Sequence, residues 1–440
     1  MNSQPVKQLW LPLVVKGELG TCDLSAENPT EAWGLMERIV APENLRAAYG
    51  RVLQNKGAPG IDGMTVQALA AHLRAKWPAI REQLLAGSYR PAAVRRHELP
   101  KPGGGVRVLG IPTVLDRFIQ QAVLQVLQPE WDPTFSDGSF GFRPRRSAHQ
   151  AVARAREHYL AGGQWVVDLD LEKFFDRVNH DKLMALVAVR VQDWRVRRLI
   201  RRYLTAGMAC GDVYVPRSEG TPQGGPLSPL LANLLLDKLD RELEAREHRF
   251  VRYADDCNIH VGSRRAGVRV MSSISRFLTE RLKLKVNEAK SAVAQPHERS
   301  FLGFSIVRDG GVAVSAKTRD RLKAKVRELT SRTRGCSLRR IVGEMAEYLH
   351  GWKAYFRIAT VKSPLRELSA WILRKLRCYL WKQWGGRGYR ELRRRGVSRD
   401  LAWNTSKSAH GPWRLSRSPA LAFALPTGYF VELGLPLLHA

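Results

Sequence analysis

Phe250-Val251-Arg252-Tyr253-Ala254-Asp255-Asp256-Cys257-Asn258-Ile259-His260-Val261 is the stretch on which the reading of this chain turns. Apolar and β-prone residues flank an adjacent acidic pair, which predicts two short strands joined by a tight turn. Two carboxylates at such a tip can serve a hard divalent cation, because Mg²⁺ commonly takes one or two carboxylates together with substrate phosphates. An acidic pair at a hairpin tip can equally be plain turn chemistry on a solvated loop. The choice rests on a third carboxylate arriving from another strand.

Trp165-Val166-Val167-Asp168-Leu169-Asp170-Leu171-Glu172-Lys173-Phe174-Phe175-Asp176 supplies it. A strand carrying Asp168 and Asp170 two residues apart presents both on one face. Acidic side chains at the end of an otherwise apolar strand are costly unless they pair or bind a cation. Helical spacing follows from Val178 to Val189. Between this strand and the acidic turn, Glu219-Gly220-Thr221-Pro222-Gln223-Gly224-Gly225-Pro226-Leu227-Ser228-Pro229 reads as a flexible loop opening a helix that carries Leu230, Leu231, Leu234, Leu235 and Leu239. A Gly-rich helix entry can bring free backbone N–H groups close to a phosphate or sugar. After the turn, a helix around Val270 to Leu282 leads into Leu282-Lys283-Leu284-Lys285-Val286-Asn287, which alternates like a strand. A hairpin then begins at Phe301-Leu302-Gly303-Phe304 and ends near Val314.

Earlier in the chain, a helix from Pro42 carries Leu45, Ala48, Tyr49 and Val52 on one face and ends at the turn-forming Gly57-Ala58-Pro59-Gly60-Ile61-Asp62-Gly63. A second helix runs from Val66 to about Leu85. Two strands around Pro102-Gly103-Gly104-Gly105 form a hairpin with Lys101 and Arg107 near its ends, and paired cations there suit a triphosphate or a nucleic-acid backbone. Asp116 to Leu127 is an amphipathic helix. In Phe140-Gly141-Phe142-Arg143-Pro144-Arg145, arginines interleave with aromatic rings, a pattern that suits backbone clamping and base stacking.

The whole chain carries 72 Lys and Arg against 41 Asp and Glu, a formal net charge of +31. A polyanion is the expected partner, held through phosphate contacts and counterion release. The 44% hydrophobic fraction is that of a globular protein. Five scattered cysteines give neither a disulfide framework nor zinc-binding pairs. No apolar run reaches membrane-spanning length, so the expected setting is cytoplasmic, with no membrane partner. Beyond about Ser315 basic residues heavily outnumber acidic ones, and helical spacing returns across 317–330, 338–358 and 365–384. There Arg339, Arg340, Lys353, Arg374, Lys375 and Arg377 interleave with Trp352, Tyr355, Trp371 and Trp381. An aromatic-cored bundle with a basic exterior and an RNA-binding surface are compatible readings of this pattern. The tail to Ala440 reads as a looser basic appendage.

The order of these features, a basic hairpin, an acidic strand, a Gly-rich helix entry and a Tyr-Ala-Asp-Asp turn at 253–256, resembles a reverse transcriptase. With Leu99-Pro100-Lys101, Leu109-Gly110-Ile111-Pro112, Phe140-Gly141-Phe142-Arg143-Pro144 and Phe301-Leu302-Gly303-Phe304, it is most similar to proteins encoded by bacterial group II introns, from about Pro42 onward. The resemblance implies an α+β right-hand polymerase: fingers and palm with an antiparallel sheet, followed by an α-helical thumb that doubles as a maturase domain. Its expected divisions are an extension over 1–40, fingers and palm over 41–314, thumb and maturase domain over 315–390, and a basic DNA-binding region over 391–440.

By the same resemblance, Asp170 and Asp255 would ligate two Mg²⁺ ions (or Mn²⁺), with Asp256 assisting and the Leu171 carbonyl completing the site. Asp168 competes with Asp170 on the same face, but the family places an aromatic five residues after its catalytic aspartate, and Phe175 stands there. Phe175 would exclude a ribose 2′-hydroxyl. Lys101 and Arg107 would hold the deoxynucleoside triphosphate, Gln223 and Gly224 would line its pocket, and Lys290 would neutralise or protonate pyrophosphate. Implied partners are group II intron RNA, target DNA and primer, in a nucleoid-associated ribonucleoprotein. No HNH endonuclease pattern follows residue 440, so an endonuclease-lacking lineage priming at replication forks is expected. Alternatives in keeping with the same motifs are a domesticated defence- or CRISPR-associated enzyme and a splicing cofactor with incidental polymerase activity.

Overall fold

The computed structural model describes residues 34–440 apart from 101–104, 211–212, 332–333 and 440. Most of the 1–40 extension therefore lies outside the described residues. The chain forms two units. The first runs through Ala151 and resumes over Val167–Val293; the second joins Val152–Val166 to Ala294–Ala440.

In the first unit, the Pro42–Asn55 helix begins with proline at its first turn, where no N–H is needed, and stops at Lys56 in the left-handed conformation. It packs on the Val114–Trp131 helix, whose start is capped by Thr113 accepting from the Asp116 N–H. Strands β1 (Val94–Pro100) and β2 (Val106–Ile111) form the expected hairpin, in register from Arg95 opposite Ile111 to Pro100 opposite Val106. The acidic strand is β3 (Trp165–Leu169). Two three-residue strands, β4 (Met208–Cys210) and β5 (Val213–Val215), extend the first hairpin into a sheet ordered β2-β1-β4-β5.

Strands β6 (Arg249–Tyr253) and β7 (Asp256–Val261) are the antiparallel pair expected around the acidic turn. With β8 (Ala292–Ala294) they build the sheet β6-β7-β3-β8. The Ser228–Ala245 helix, with Leu230, Leu231, Leu234, Leu235 and Leu239 buried, covers part of this unit's core. The alternating 282–287 segment is not a strand. It makes one antiparallel bridge, Leu171 with Val286, and the sheet takes its fourth strand from 292–294 instead.

The second unit is helical. The hairpin of β9 (Phe304–Ile306) and β10 (Val312–Val314) packs with the Ala316–Leu329, Leu338–Phe356 and Ser363–Trp384 helices, so it belongs here rather than with the sheets. Phe304, Val312, Leu322, Ile341, Leu349, Trp352 and Leu376 share one core. That core also takes Leu392, Ala402, Leu421, Phe430 and Leu438. The tail is therefore not a loose appendage: short helices, among them Arg399–Lys407 and Pro419–Ala424, fold it onto the long ones.

Candidate active site

The tip of the β6–β7 hairpin contains two residues, Ala254 and Asp255, because Tyr253 and Asp256 are already paired. Ala254 has φ +57°, the left-handed region that costs a side-chain-bearing residue about 1–2 kcal/mol. The surroundings hold it there. Arg252 is only 1% exposed, and each of its N–H donors has an acceptor. Its Nε donates to Asp240 Oδ1 at 2.7 Å and its Nη2 to Asp240 Oδ2 at 2.5 Å. Nη2 also reaches Ser139 Oγ at 2.8 Å, while Nη1 donates to Asn233 Oδ1 at 3.1 Å and to the Ala254 carbonyl at 2.9 Å. A bidentate arginine–carboxylate pair of this kind is strong and directional. Burial works against the Arg252 charge, but Asp240 more than offsets it and holds the guanidinium above its ordinary pKa.

Asn233 donates in turn to the Gly141 carbonyl at 2.8 Å. Gly141 lies so close to the turn that a Cβ there would stand 2.2 Å from the Ala254 nitrogen. The 138–141 segment is thereby laid along β6, with Phe140 N–H donating to the Arg252 carbonyl and Arg252 N–H to the Gly138 carbonyl.

Asp170 follows β3, whose neighbour is β7. Its N–H donates to Ser291 Oγ at 3.0 Å, and its carbonyl accepts from the Asn287 N–H at 2.8 Å. Lys290 Nζ stands 3.1 Å from Asp170 Oδ2. Adjacent strands thus bring Asp168, Asp170, Asp255 and Asp256 into one negative region. The consequence falls on Asp256, whose carboxyl is pushed up to about 7, first by burial and then by the charges of Asp255, Asp168 and Asp170, with Lys290 opposing. Because the folded value is the higher one, the metal-free protein loses stability as pH rises from the ordinary carboxylate range towards 7.

A divalent cation reverses that balance, so the donor set fits a hard ion. Among the described residues no group of three or more His, Cys, Asp or Glu side chains is by itself placed to hold a metal ion. A testable consequence is that Mn²⁺ affinity, measured calorimetrically, rises about tenfold per pH unit below 7, because binding must displace one proton. Asp256→Asn should flatten that slope. A pH-independent affinity in the wild type would remove the proposed coupling.

Phe175, Gln223 and Gly224 line one cavity of about 510 Å³, together with Phe142, Arg117 and Gln121. Phe175 is half-buried and meets Phe174 and Phe142 edge to face, with centroids 5.1 and 6.4 Å away. Gln223 fixes the loop from both sides, since its carbonyl accepts from Gly110 N–H at 3.1 Å and its side chain reaches Asp176 Oδ1 at 3.4 Å. Gly224, at φ +139°, has no room for a side chain, because a Cβ would sit 2.8 Å from the Gly110 carbonyl oxygen.

Other expectations fare differently. Lys101 lies outside the described residues, as does the Arg107 side chain. Arg143 is turned inwards: its guanidinium binds the Asp132 carboxylate and carbonyl and the carbonyls of Ser136 and Ser139, so it braces the fold and is not presented to RNA. Arg145 and Arg339 are exposed, Arg340 is engaged by Glu344 at 3.0 Å, and Lys353 is half-buried. Arg374, Lys375 and Arg377 lie on the Ser363–Trp384 helix, where Arg374 and Arg377 also donate to backbone carbonyls of the C-terminal segment. Arg252 and Ser291 carry no local signal in the sequence for the contacts they make here. The Gly141 and Asn233 positions gave no separate signal for their contact.

Residues 99–306 match the reverse transcriptase (RNA-dependent DNA polymerase) family, and residues 319–396 match the group II intron maturase-specific domain. The protein YkfC of Escherichia coli (strain K12) is 34% identical over 317 residues, which cover 62% of this chain and 83% of that protein. The chain belongs to the group II intron-encoded reverse transcriptase family. The group II intron-encoded protein LtrA of Lactococcus lactis subsp. cremoris is 29% identical over 366 residues, 68% of this chain and 61% of LtrA, so the match spans less than two thirds of that relative. Among solved structures, a partial Cas6-RT-Cas1–Cas2 complex aligns over 59% of this chain and 45% of its own, at 23% identity and a TM-score of 0.37. As a member of this reverse transcriptase family, the chain has a mixed α+β polymerase fold and is an RNA-directed DNA polymerase with a maturase domain. Divalent metal use and intron RNA binding come with the family. No helix among the described residues is long and apolar enough to cross a membrane.

Proposed function

We propose that this protein copies the RNA of its group II intron into DNA by two-metal nucleotidyl transfer and binds that intron RNA to assist splicing and mobility. The gathering of Asp168, Asp170, Asp255 and Asp256 on adjacent strands is the observation that carries the reading. Asp170 and Asp255 would hold two Mg²⁺ ions (or Mn²⁺), with Asp256 and the Leu171 carbonyl assisting. When bound, such ions supply activation of a 3′-hydroxyl and charge stabilisation for the departing pyrophosphate. Lys101 and Arg107 grip the triphosphate, and Lys290, held at Asp170, supplies positive charge for pyrophosphate release. Gln223 and Gly224 shape the nucleotide pocket.

Residues 41–314, apart from the 304–314 hairpin that packs with the helices, serve as fingers and palm, 315–390 as thumb and maturase domain, and 391–440 as the DNA-contacting region for target and primer. The exposed cations Arg145, Arg339 and Arg340, together with Lys353, Arg374, Lys375 and Arg377, contribute to the RNA-facing charge. Expression with flanking DNA followed by sequencing of bound RNA tests the intron reading. A single lariat derived from around the gene supports it; a mixed population would point to a domesticated enzyme.

Phe175 acts as the sugar gate, since its ring borders the cavity beside Gln223 and Gly224. A close steric contact is worth a discrimination of about 10- to 100-fold. Phe175→Ala should therefore raise ribonucleotide incorporation relative to deoxynucleotide incorporation by about that factor in single-nucleotide extension. Unchanged discrimination would remove Phe175 from this role.

A further inference from the structure

The helical unit contains a second cavity, of about 650 Å³, between the Ala316–Leu329 helix, the Ser363–Trp384 helix and the residues following Pro412–Leu415. Arg319, Lys323, Arg374, Arg377 and Arg417 line it, against the single carboxylate of Glu367. None of these five cations forms an ion pair with a described residue. Two are held in fixed positions. Arg374 lies 3.6 Å from the centroid of the Trp413 ring and donates to Trp413 O at 2.9 Å and Ser416 Oγ at 3.3 Å. Arg377 Nε donates to Leu425 O at 2.9 Å. Arg319 and Lys323 bring two further positive charges from the Ala316–Leu329 helix to the same cavity.

Concentrated, prearranged guanidinium groups match phosphate oxygens. The cavity has the volume of a nucleotide-sized pocket, too small for a base-paired helix. Residues 416–417 lie beyond the matched maturase segment, so the C-terminal segment supplies part of the lining.

We infer that this cavity takes the phosphodiester backbone of an unpaired RNA segment, such as the bulged nucleotides of a hairpin. The inference rests on the intron-RNA reading and adds the class of RNA feature recognised. Single strands lose about 0.7 in the slope of log affinity against log salt for each phosphate contact removed.

The test is fluorescence anisotropy on the full chain, from about 50 to 200 mM salt, with a bulged RNA hairpin, the same hairpin fully paired, and single-stranded DNA of the bulged strand. The pair Arg319→Ala and Arg417→Ala should lower the slope for bulged RNA by about 1.4 and weaken its binding on the order of tenfold. Paired RNA should change far less. The pair Arg319→Lys and Arg417→Lys should recover most of the slope. Arg417→Gln alone, at an exposed position where folding is not at stake, should lower it by about 0.7. Equal losses on paired and bulged RNA, an unchanged slope, or a loss confined to DNA would each overturn the pocket. A wild-type protein with no affinity for either RNA would instead overturn the intron-RNA reading beneath it.

Discussion

Asp255→Asn should reduce cDNA synthesis on a primed RNA template by about 10³-fold or more while leaving RNA binding largely intact. The magnitude follows from losing a ligand proposed to serve both ions, worth several kcal/mol of charge stabilisation, with tenfold in rate for each 1.36 kcal/mol. Asparagine keeps the size and turn preference of aspartate, so the two-residue tip should persist. RNA affinity should survive because the basic surface that supplies it lies on other elements. Single-turnover extension and RNA anisotropy on the same preparation separate the two. Residual extension within tenfold of wild type would mean that Asp255 is not the shared ligand, and loss of RNA binding in a folded variant would refute the separation of functions.

The second large effect concerns Arg252. Removing one partner of a buried ion pair typically costs about 3–5 kcal/mol, because the other charge is left without compensation. Arg252→Leu should lower the melting temperature clearly and abolish most activity. Arg252→Leu combined with Asp240→Leu should recover much of that stability, since apolar replacement of both partners is often neutral. It should not recover activity, because the Ala254 carbonyl and Asn233 still lose their donor and the turn is no longer held. Misplacement of catalytic groups by about 1 Å can cost on the order of 100-fold. A double variant with full turnover would show that the Arg252 contact to the turn has no part in positioning Asp255.

The sequence made the large elements readable wherever a pattern was long enough. The two hairpins around 102–105 and 254–255 and the long helices of the second unit appear where spacing and turn residues placed them. The acidic residues of the site were equally visible, because carboxylates in apolar strands stand out against their surroundings. What stayed hidden depends on distant partners. Nothing local distinguishes Arg252 from a surface arginine; its burial is set by Asp240, which reaches β6 from the Ser228–Ala245 helix. Arg143 misled for the same reason, since Asp132 and two carbonyls draw it inwards. Strands β4 and β5 have only three residues each, too few for a period to register. The 282–287 alternation was genuine, but only Val286 finds a bridging partner, at Leu171. In the tail, helices of four to nine residues carry too few turns for an amphipathic pattern, and their docking is a tertiary event.

The site is most directly tested by primer extension with the purified wild-type protein on an RNA template, with deoxynucleotides and a controlled supply of divalent cation. Extension should reach full-length cDNA, stop completely on chelation, and resume when Mg²⁺ or Mn²⁺ is restored. A folded, RNA-binding protein that extends no primer, or one that extends it equally well under chelation, would contradict a carboxylate-held, metal-dependent polymerase site at Asp170, Asp255 and Asp256.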